Sequence, residues 1–350
     1  MIPAFLKAYL SVWNGRDDQD IILELLSFVP IDSFSDAHAT YFSRAEQAIV
    51  SSEESSAYTK VIDFYTSVLQ QQMCRAAFAA SQSSSAQRKE DVGAVIKTLE
   101  DLNAHVSTLS IALLVSLPQD VGQSLVSSIL AFYELLSVSS QPEVVPILLP
   151  PIHLVYLMAQ HASPTTLVRV CGIIGFCKRA FDQHPRPVKN WYPAKITDEF
   201  NWWLLDLSNL VWASKAFEIK SEKSVGFFCD AALRSELNDY LGSIDREYTV
   251  VSAFALSNNA WLASLSAMAW RAMEEREIER EGFDRNNIRY HQGPVSKTSL
   301  EVLKRQGGVS VDWSGSNGYK VFVLNWLADR GLDGLGTLLF ATVSDLRAKA

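Results

Sequence analysis

The 350-residue sequence predicts an all-α protein, a HEAT-like helical-repeat α-solenoid of about seven or eight antiparallel helix pairs. Three observations carry that expectation. Apolar residues recur with a period near 3.6 from end to end. Gly (16) and Pro (12) both fall below average usage, which disfavours a turn-rich all-β chain. The breaks between periodic stretches are short and polar. Seventeen Phe, eleven Tyr and nine Trp add core-forming surface that a disordered chain lacks. With 20% charged residues and a net charge of −8, the balance argues against a dedicated nucleic-acid binder.

The elements follow in chain order. The opening MIPAFLKAYLSVW is split by Lys7 and lacks a small-residue cleavage site, so it reads as an amphipathic helix and not a signal peptide. Over 59–73, Val61, Ile62, Tyr65, Val68, Leu69 and Met73 form one helical stripe. Residues 120–136 repeat the pattern after Pro118 with Val121, Leu125, Ile129, Tyr133 and Leu136. The most apolar stretch, 144–159, holds Pro146, Pro150, Pro151 and His153 and is too short to span a bilayer. A helix over 164–182 starts from Ser163 as N-cap and Pro164 at the first helical position. Gly172 and Gly175 inside it each cost about 1 kcal/mol against Ala, which predicts a closely packed neighbour.

Residues 196–217 carry two apolar stripes. One is Ile196, Phe200, Trp203, Leu207, Leu210 and Val211; the other is Trp202, Leu205 and Trp212. A helix apolar over most of its circumference is expected to be sandwiched between layers, with partner docking as the alternative. Arg271–Glu275 and Glu277–Arg280 spacings mark 271–285 as a solvated, protruding helix. Thr298 and Glu301 read as a capping-box pair. Over 307–326, the alternation of Val309, Val311 and Trp313 before a Gly/Ser/Asn turn admits one small β-hairpin. A helix over YKVFVLNWLADR is the preferred reading there. The polar breaks at 14–20, 51–56, 81–91, 139–143 and 183–193 are too short for an interdomain linker. The chain is therefore expected to form a single continuous solenoid over 1–350, with 286–350 as a C-terminal cap.

Motifs for chemistry are sparse. Cys74, Cys171, Cys177 and Cys229 have neither disulfide-framework nor C-x-x-C spacing and read as buried, reduced thiols of an intracellular protein. The six histidines (His38, His105, His153, His161, His184, His291) are spread singly, so no metal ligands are expected. Phosphate-loop, dinucleotide, H-E-x-x-H and G-x-S-x-G patterns do not occur, and no catalytic residue or cofactor is assigned. GLDGLG (331–336) lacks the spacing of a nucleotide loop.

One enzyme class needs weighing: a magnesium-dependent, terpene-synthase-like enzyme acting on diphosphates, to which RDDQD (16–20) and NDYLGSIDRE (238–247) bear a superficial likeness. That chemistry requires carboxylates at i and i+4 on one helix face. Ile21 follows Asp17 at that spacing, while Gly242 and Arg246 occupy the two ligand positions after Asn238. The reading is therefore secondary, as is a HEAT-repeat adaptor of an unrelated pathway.

The strongest local basic cluster is Lys178, Arg179, Arg186, Lys189 and Lys195, opposed only by Asp182 and interleaved with Phe181, Trp191 and Tyr192. A solvated loop is its first reading. As an interaction surface, with Trp191, Trp202 and Trp212 as aromatic anchors, it suits an acidic partner or a weak contact with a DNA backbone.

At 171–217, VCGIIGFCKRAFD followed by EFNWWLLDLSNLVWASKAF resembles the centromere protein I family of the inner kinetochore. AFLKAYLSVWNGRDDQDIILELLSFVPIDSF (4–34), HQGPVSKTSLEVLKRQGGVSVDW and YKVFVLNWLADRGLDGLGTLLF extend the resemblance over almost the whole chain, with a fungal character. It departs from the family pattern at Ala213, where a basic residue is expected after Trp212. The resemblance implies a non-enzymatic scaffold of the constitutive centromere-associated network, in the nucleus at the kinetochore, supporting chromosome segregation in mitosis. Its implied partners are centromere proteins H and K, and the histone-fold centromere proteins T and W. Neither small molecule nor membrane enters. The resemblance further implies that this chain is the C-terminal half, with H–K docking mainly on the N-terminal half.

Overall fold

The computed structural model describes residues 2–52, 56–82, 87–116, 122–138, 147–161, 163–183, 192, 194–213, 230–244, 249–250, 262–292, 295–313, 315, 318–343 and 346. Every element among them is helical, so the all-α expectation holds and no strand occurs among the described residues. In chain order the helices begin with α1 (Ile2–Tyr9), α2 (Gln19–Ser27) and α3 (Phe34–Ala37), which runs through a π-helical turn (His38–Phe42) into α4 (Ser43–Ser51). Next come α5 (Ala57–Gln82), α6 (Gln87–Ser116), α7 (Gly122–Val138), α8 (Ile152–Ala159) and α9 (Pro164–Asp182). Helix α10 (Ala194–Ser208) continues into a second π-helical turn (Asn209–Ala213). The chain ends with α11 (Ala231–Ile244), α12 (Ala263–Glu281), α13 (Lys297–Arg305), α14 (Tyr319–Ala328) and α15 (Gly334–Thr342). None of these helices is long and apolar enough to cross a membrane.

The chain divides into two compact units. The first comprises Met1–Met158 with Ala180–Pro185. Helix α5 is its centre and packs on α2, α4, α6 and α7. The predicted stripe Val61, Ile62, Tyr65, Val68, Leu69 and Met73 is buried, as are Leu99, Leu102 and Val106 of α6 and Leu125, Ile129, Tyr133 and Leu136 of α7. Each such side chain contributes about 1.5–3 kcal/mol by leaving water. The buried hydroxyls of Tyr133 and Ser107 share a hydrogen bond of 2.7 Å. Between α1 and α2 the chain turns on Gly15 (φ +78°), where a Cβ would lie 2.1 Å from the carbonyl oxygen of Ala48. Only glycine serves at that contact.

The second unit comprises Ala159–Arg179 with Arg186–Ala350. Its organising contact is the crossing of α9 and α15. A Cβ on Gly334 would lie 1.9 Å from Val168 O and 2.9 Å from Gly172 N. On Gly175 it would meet Leu338 N at 2.7 Å and Thr337 C at 2.8 Å. The two helix backbones touch, which explains the glycines that propensity alone disfavours. Ser163 caps α9 as expected, its Oγ accepting from Thr166 N at 3.4 Å. Flanking helices follow the crossing: α15 contacts α10 and α14, and α14 contacts α12. In that layer Trp270 and Tyr319 meet edge to face at 5.4 Å, and Tyr319 Oη donates to Ser266 O at 2.9 Å.

Several expectations are corrected here. The admitted β-hairpin is absent, because the carbonyls of Asp312 and Trp313 accept the N–H groups of Tyr319 (2.8 Å) and Lys320 (3.3 Å). Those are orphan donors of the first turn of α14, so the alternating segment caps a helix and does not pair with a strand. Helix α13 is capped two residues earlier than predicted, by Ser296 with Ser299 in a capping box, and not by Thr298 with Glu301. The 271–285 segment is solvated as expected over 279–285, but Met273, Glu274, Glu277 and Ile278 of α12 are buried. Glu274 accepts from His291 N at 2.9 Å, and burial pushes its carboxyl above the ordinary range. Glu277 pairs with Arg280 at 2.7 Å as expected, whereas Glu275 pairs with Arg285 at 3.0 Å. Cys171 and Cys177 are buried, with thiols pushed up to about 12, but Cys74 is exposed. Cys229 lies outside the described residues.

The crossing predicts a contrast among glycines. Gly334→Ala and Gly175→Ala each lower the unfolding free energy by about 1–3 kcal/mol or more, since backbone must separate to admit the methyl group. Gly242→Ala in α11, where nothing lies within 4 Å, is neutral or stabilising by up to about 1 kcal/mol. Chemical denaturation of the three variants checks the ordering.

Candidate functional site

The sequence-selected residues separate in the structure. Lys178 is half-buried near the end of α9, and Arg179 is exposed with its guanidinium 4.5 Å over the Phe176 ring. Lys195 is exposed in the first turn of α10, 3.8 Å from Glu199, at a separation and exposure worth little energetically. Arg186, Lys189 and Trp191 lie outside the described residues.

Helix α10 is not sandwiched as expected. Its first stripe is buried at Phe200, Trp203 and Leu207, but Ile196 (39%), Trp202 (40%) and Leu205 (38%) are exposed. Trp212 belongs to the π-helical turn that follows and is half-buried. Lys320 of α14 donates to the Trp212 carbonyl and holds its ammonium 3.9 Å from that ring, with Trp313 at 5.9 Å. The cation beside Trp212 thus comes from α14, where the resemblance would have placed it at position 213. Burial pulls the Lys320 amine down to about 8, outweighing the attraction of the two rings.

A surface missed by sequence reasoning lies on α11. That helix has no buried residue. Leu233 (50%), Leu237 (39%), Tyr240 (64%) and Ile244 (62%) are exposed at spacings of four, three and four, hence on one face. Asp230 caps the helix, accepting from Ala232 N at 2.8 Å and Leu233 N at 3.3 Å. The exposed carboxylates of Glu236 and Asp239 lie on the same helix. The 4-3-4 spacing is legible in the sequence, where the metal-motif likeness of 238–247 overlaps it.

Of the two diphosphate-like motifs, RDDQD (16–20) does not set Asp17 and Asp18 on a helix face, and residues 245–247 of the second lie outside the described residues. Asp17 and Asp18 sit in a turn. Asn14 Oδ1 accepts from the amides of Arg16 (2.9 Å) and Asp17 (3.0 Å), and Asp18 adopts a left-handed φ of 51°.

Two histidines read as isolated come together in the first unit. His38 stands on the π-helical turn, Glu46 on α4 and His105 on α6. His105 Nε2 lies 2.9 Å and His38 Nε2 3.5 Å from the two oxygens of the Glu46 carboxylate. The imidazole rings are 4.5 Å apart, and Phe34 lies against both at 5.8 and 5.5 Å. Tyr65 donates its hydroxyl to Glu46. Burial raises the Glu46 carboxyl, but hydrogen bonds from His105 and Tyr65 and the field of both imidazoles bring it below its ordinary value. Burial beside that carboxylate pushes Tyr65 strongly upward, so its hydroxyl stays protonated and remains a donor.

No protein-family model matches the chain, and no curated protein sequence matches it.

The Lys320 environment sets a pH signature for the second unit. The unfolded chain keeps this proton up to about 10.5, whereas the folded chain releases it from about 8. Unfolding therefore takes up a proton between those values, and the contribution of Lys320 to stability rises with pH. Wild type is expected to gain stability relative to Lys320→Met across that window in paired denaturation curves. A pH-independent difference contradicts it.

Proposed function

We propose that this chain is a non-enzymatic helical scaffold of the inner kinetochore, binding other centromere proteins at the nuclear centromere. The placement among centromere proteins rests on the ordered resemblance of 4–34, 171–217 and the C-terminal segments to the centromere protein I family. The observation that carries the scaffold role is the exposed face of α11, where Leu233, Leu237, Tyr240 and Ile244 align on a folded helix. Such a stripe matches the anchor pattern of helix-on-helix recognition. Large apolar side chains aligned along an otherwise polar helix mark an interaction site more than a random exposure does.

The occupant is a helix of the histone-fold pair formed by centromere proteins T and W. Glu236 and Asp239 border the stripe, and the chain carries a net charge of −8, which suits a basic, DNA-associated partner. Anchoring falls to Tyr240 and Leu237, with the carboxylates as a polar rim.

Size-exclusion chromatography of the chain with the T–W pair tests this, with the H–K pair run alongside. Co-elution with T–W is expected, weakened at least tenfold in the double variant Leu237→Asp, Tyr240→Asp. Because both substituted side chains are exposed, the variant keeps wild-type far-UV circular dichroism and thermal midpoint. Failure to bind T–W, or equal binding by the variant, overturns the assignment of the surface. Failure with both pairs overturns the kinetochore reading.

A further inference from the structure

We propose that His38, Glu46 and His105 form a zinc site that clasps the helix running from α3 through the π-helical turn into α4 against α6. The proposal is independent of the scaffold reading, since it concerns the first unit alone.

Donor identity and spacing come first. Two imidazole nitrogens and one carboxylate oxygen lie within 4.8 Å of one another. Zinc held at about 2.0–2.2 Å by tetrahedral N and O donors sets neighbouring donors about 3.4 Å apart. His105 stands 2.9 Å from one Glu46 oxygen and His38 3.5 Å from the other, so side-chain rotation within the 4.8 Å cluster can bring the three donors to that separation. Two imidazoles with one carboxylate suit zinc, whereas calcium and magnesium prefer all-oxygen sets. Water supplies the fourth ligand.

The surroundings supply a second line of argument. His38 Nε2 is buried and makes no hydrogen bond among the described residues, although it faces a carboxylate. An unspent nitrogen in such a place calls for a ligand. Tyr65, bonded to Glu46, is the outer partner that orients a metal-binding carboxylate. Phe34 against both rings restricts their rotation. The side chains of His38 (27%), His105 (25%) and Glu46 (20%) keep a water-accessible edge, which gives an ion its entry path.

Backbone geometry completes the case. In a regular α-helix of about 3.6 residues per turn, residues i and i+7 share a face. His38 and Glu46 are eight apart, and the residue inserted by the π-helical turn brings them onto one face. Such turns are frequent at functional sites. Helix α3 contacts α6, which carries His105 across to the pair.

The experiment uses the full chain, stripped with EDTA, dialysed and titrated with Zn²⁺ by isothermal calorimetry, with bound metal counted by elemental analysis. One equivalent per chain and a rise in thermal midpoint are expected. His38→Ala and Glu46→Gln each lower the affinity at least tenfold, the latter retaining an oxygen that accepts from Tyr65. Uptake weakens as pH falls, since protonated imidazoles cannot ligate. Because His105→Ala also removes packing against Phe34, Co²⁺ absorption of the wild type supplies a readout that survives a misfolded variant. Ligand-field bands of a four- or five-coordinate ion, lost in His38→Ala, are expected. Absence of stoichiometric zinc in the wild type, or unchanged binding by His38→Ala, overturns the proposal and leaves a hydrogen-bonded cluster only.

Discussion

The second unit depends on the contact between two helix backbones, where Gly172, Gly175 and Gly334 let α9 and α15 meet backbone to backbone, with the Thr337 methyl beside Gly175. Interiors pack at crystal density, so the distance at one crossing propagates to its neighbours. With α15 drawn onto α9, Thr342 reaches within 3.2 Å of Ser208 at the end of α10, and α14 lies where Lys320 meets the Trp212 carbonyl. The aromatic pair Trp270 and Tyr319 fills the next layer. One methyl group at the crossing would displace each of these relationships.

The first unit is built on a different principle. Its core is a helical layer around α5, but its edge is fastened by polar groups: Tyr65, Glu46 and two imidazoles, packed against Phe34. Buried polar groups are costly unless satisfied and specific when they are. The α9–α15 crossing depends on shape alone, whereas the Glu46 cluster responds to protonation. The face of α11 is different again, since none of its residues is fully buried and its four aligned apolar side chains are exposed.

Much of the fold was readable because it follows one period. The stripe from Val61 to Met73 needs only the 3.6-residue repeat, and Gly172 with Gly175 announced a close neighbour by its cost alone. What escaped did so for physical reasons. Val309, Val311 and Trp313 alternate like a strand, yet the carbonyls of Asp312 and Trp313 serve the start of α14, a use that alternation does not encode. Glu274 and Glu277 look solvated in a charged run, but the helix turns both inward, where His291 N and Arg280 meet them. Trp202 and Leu205 look like core in sequence because apolar character does not distinguish an inner face from an outer one. Of the sequence-selected residues, Trp212 has a defined role, though in a cation–π contact and not as an exposed anchor. His38, Glu46 and His105 were hidden by a helical insertion and by the 59 residues that separate Glu46 from His105.

That insertion has a consequence for how the first unit tolerates change in length. Each residue advances an α-helix by about 100°. The π-helical turn therefore works as a phase shifter, joining two lengths of regular helix whose faces are out of step by one residue. Upstream, Phe34 and Ala37 keep their phase with the core; downstream, Ala45 and Ile49 keep theirs, and each pair is buried. Deleting one residue between 38 and 42 would spare every hydrogen bond of an ordinary helix while setting the two faces at odds. Over this stretch, the chain length is itself a piece of structural information, as specific as any side chain it carries.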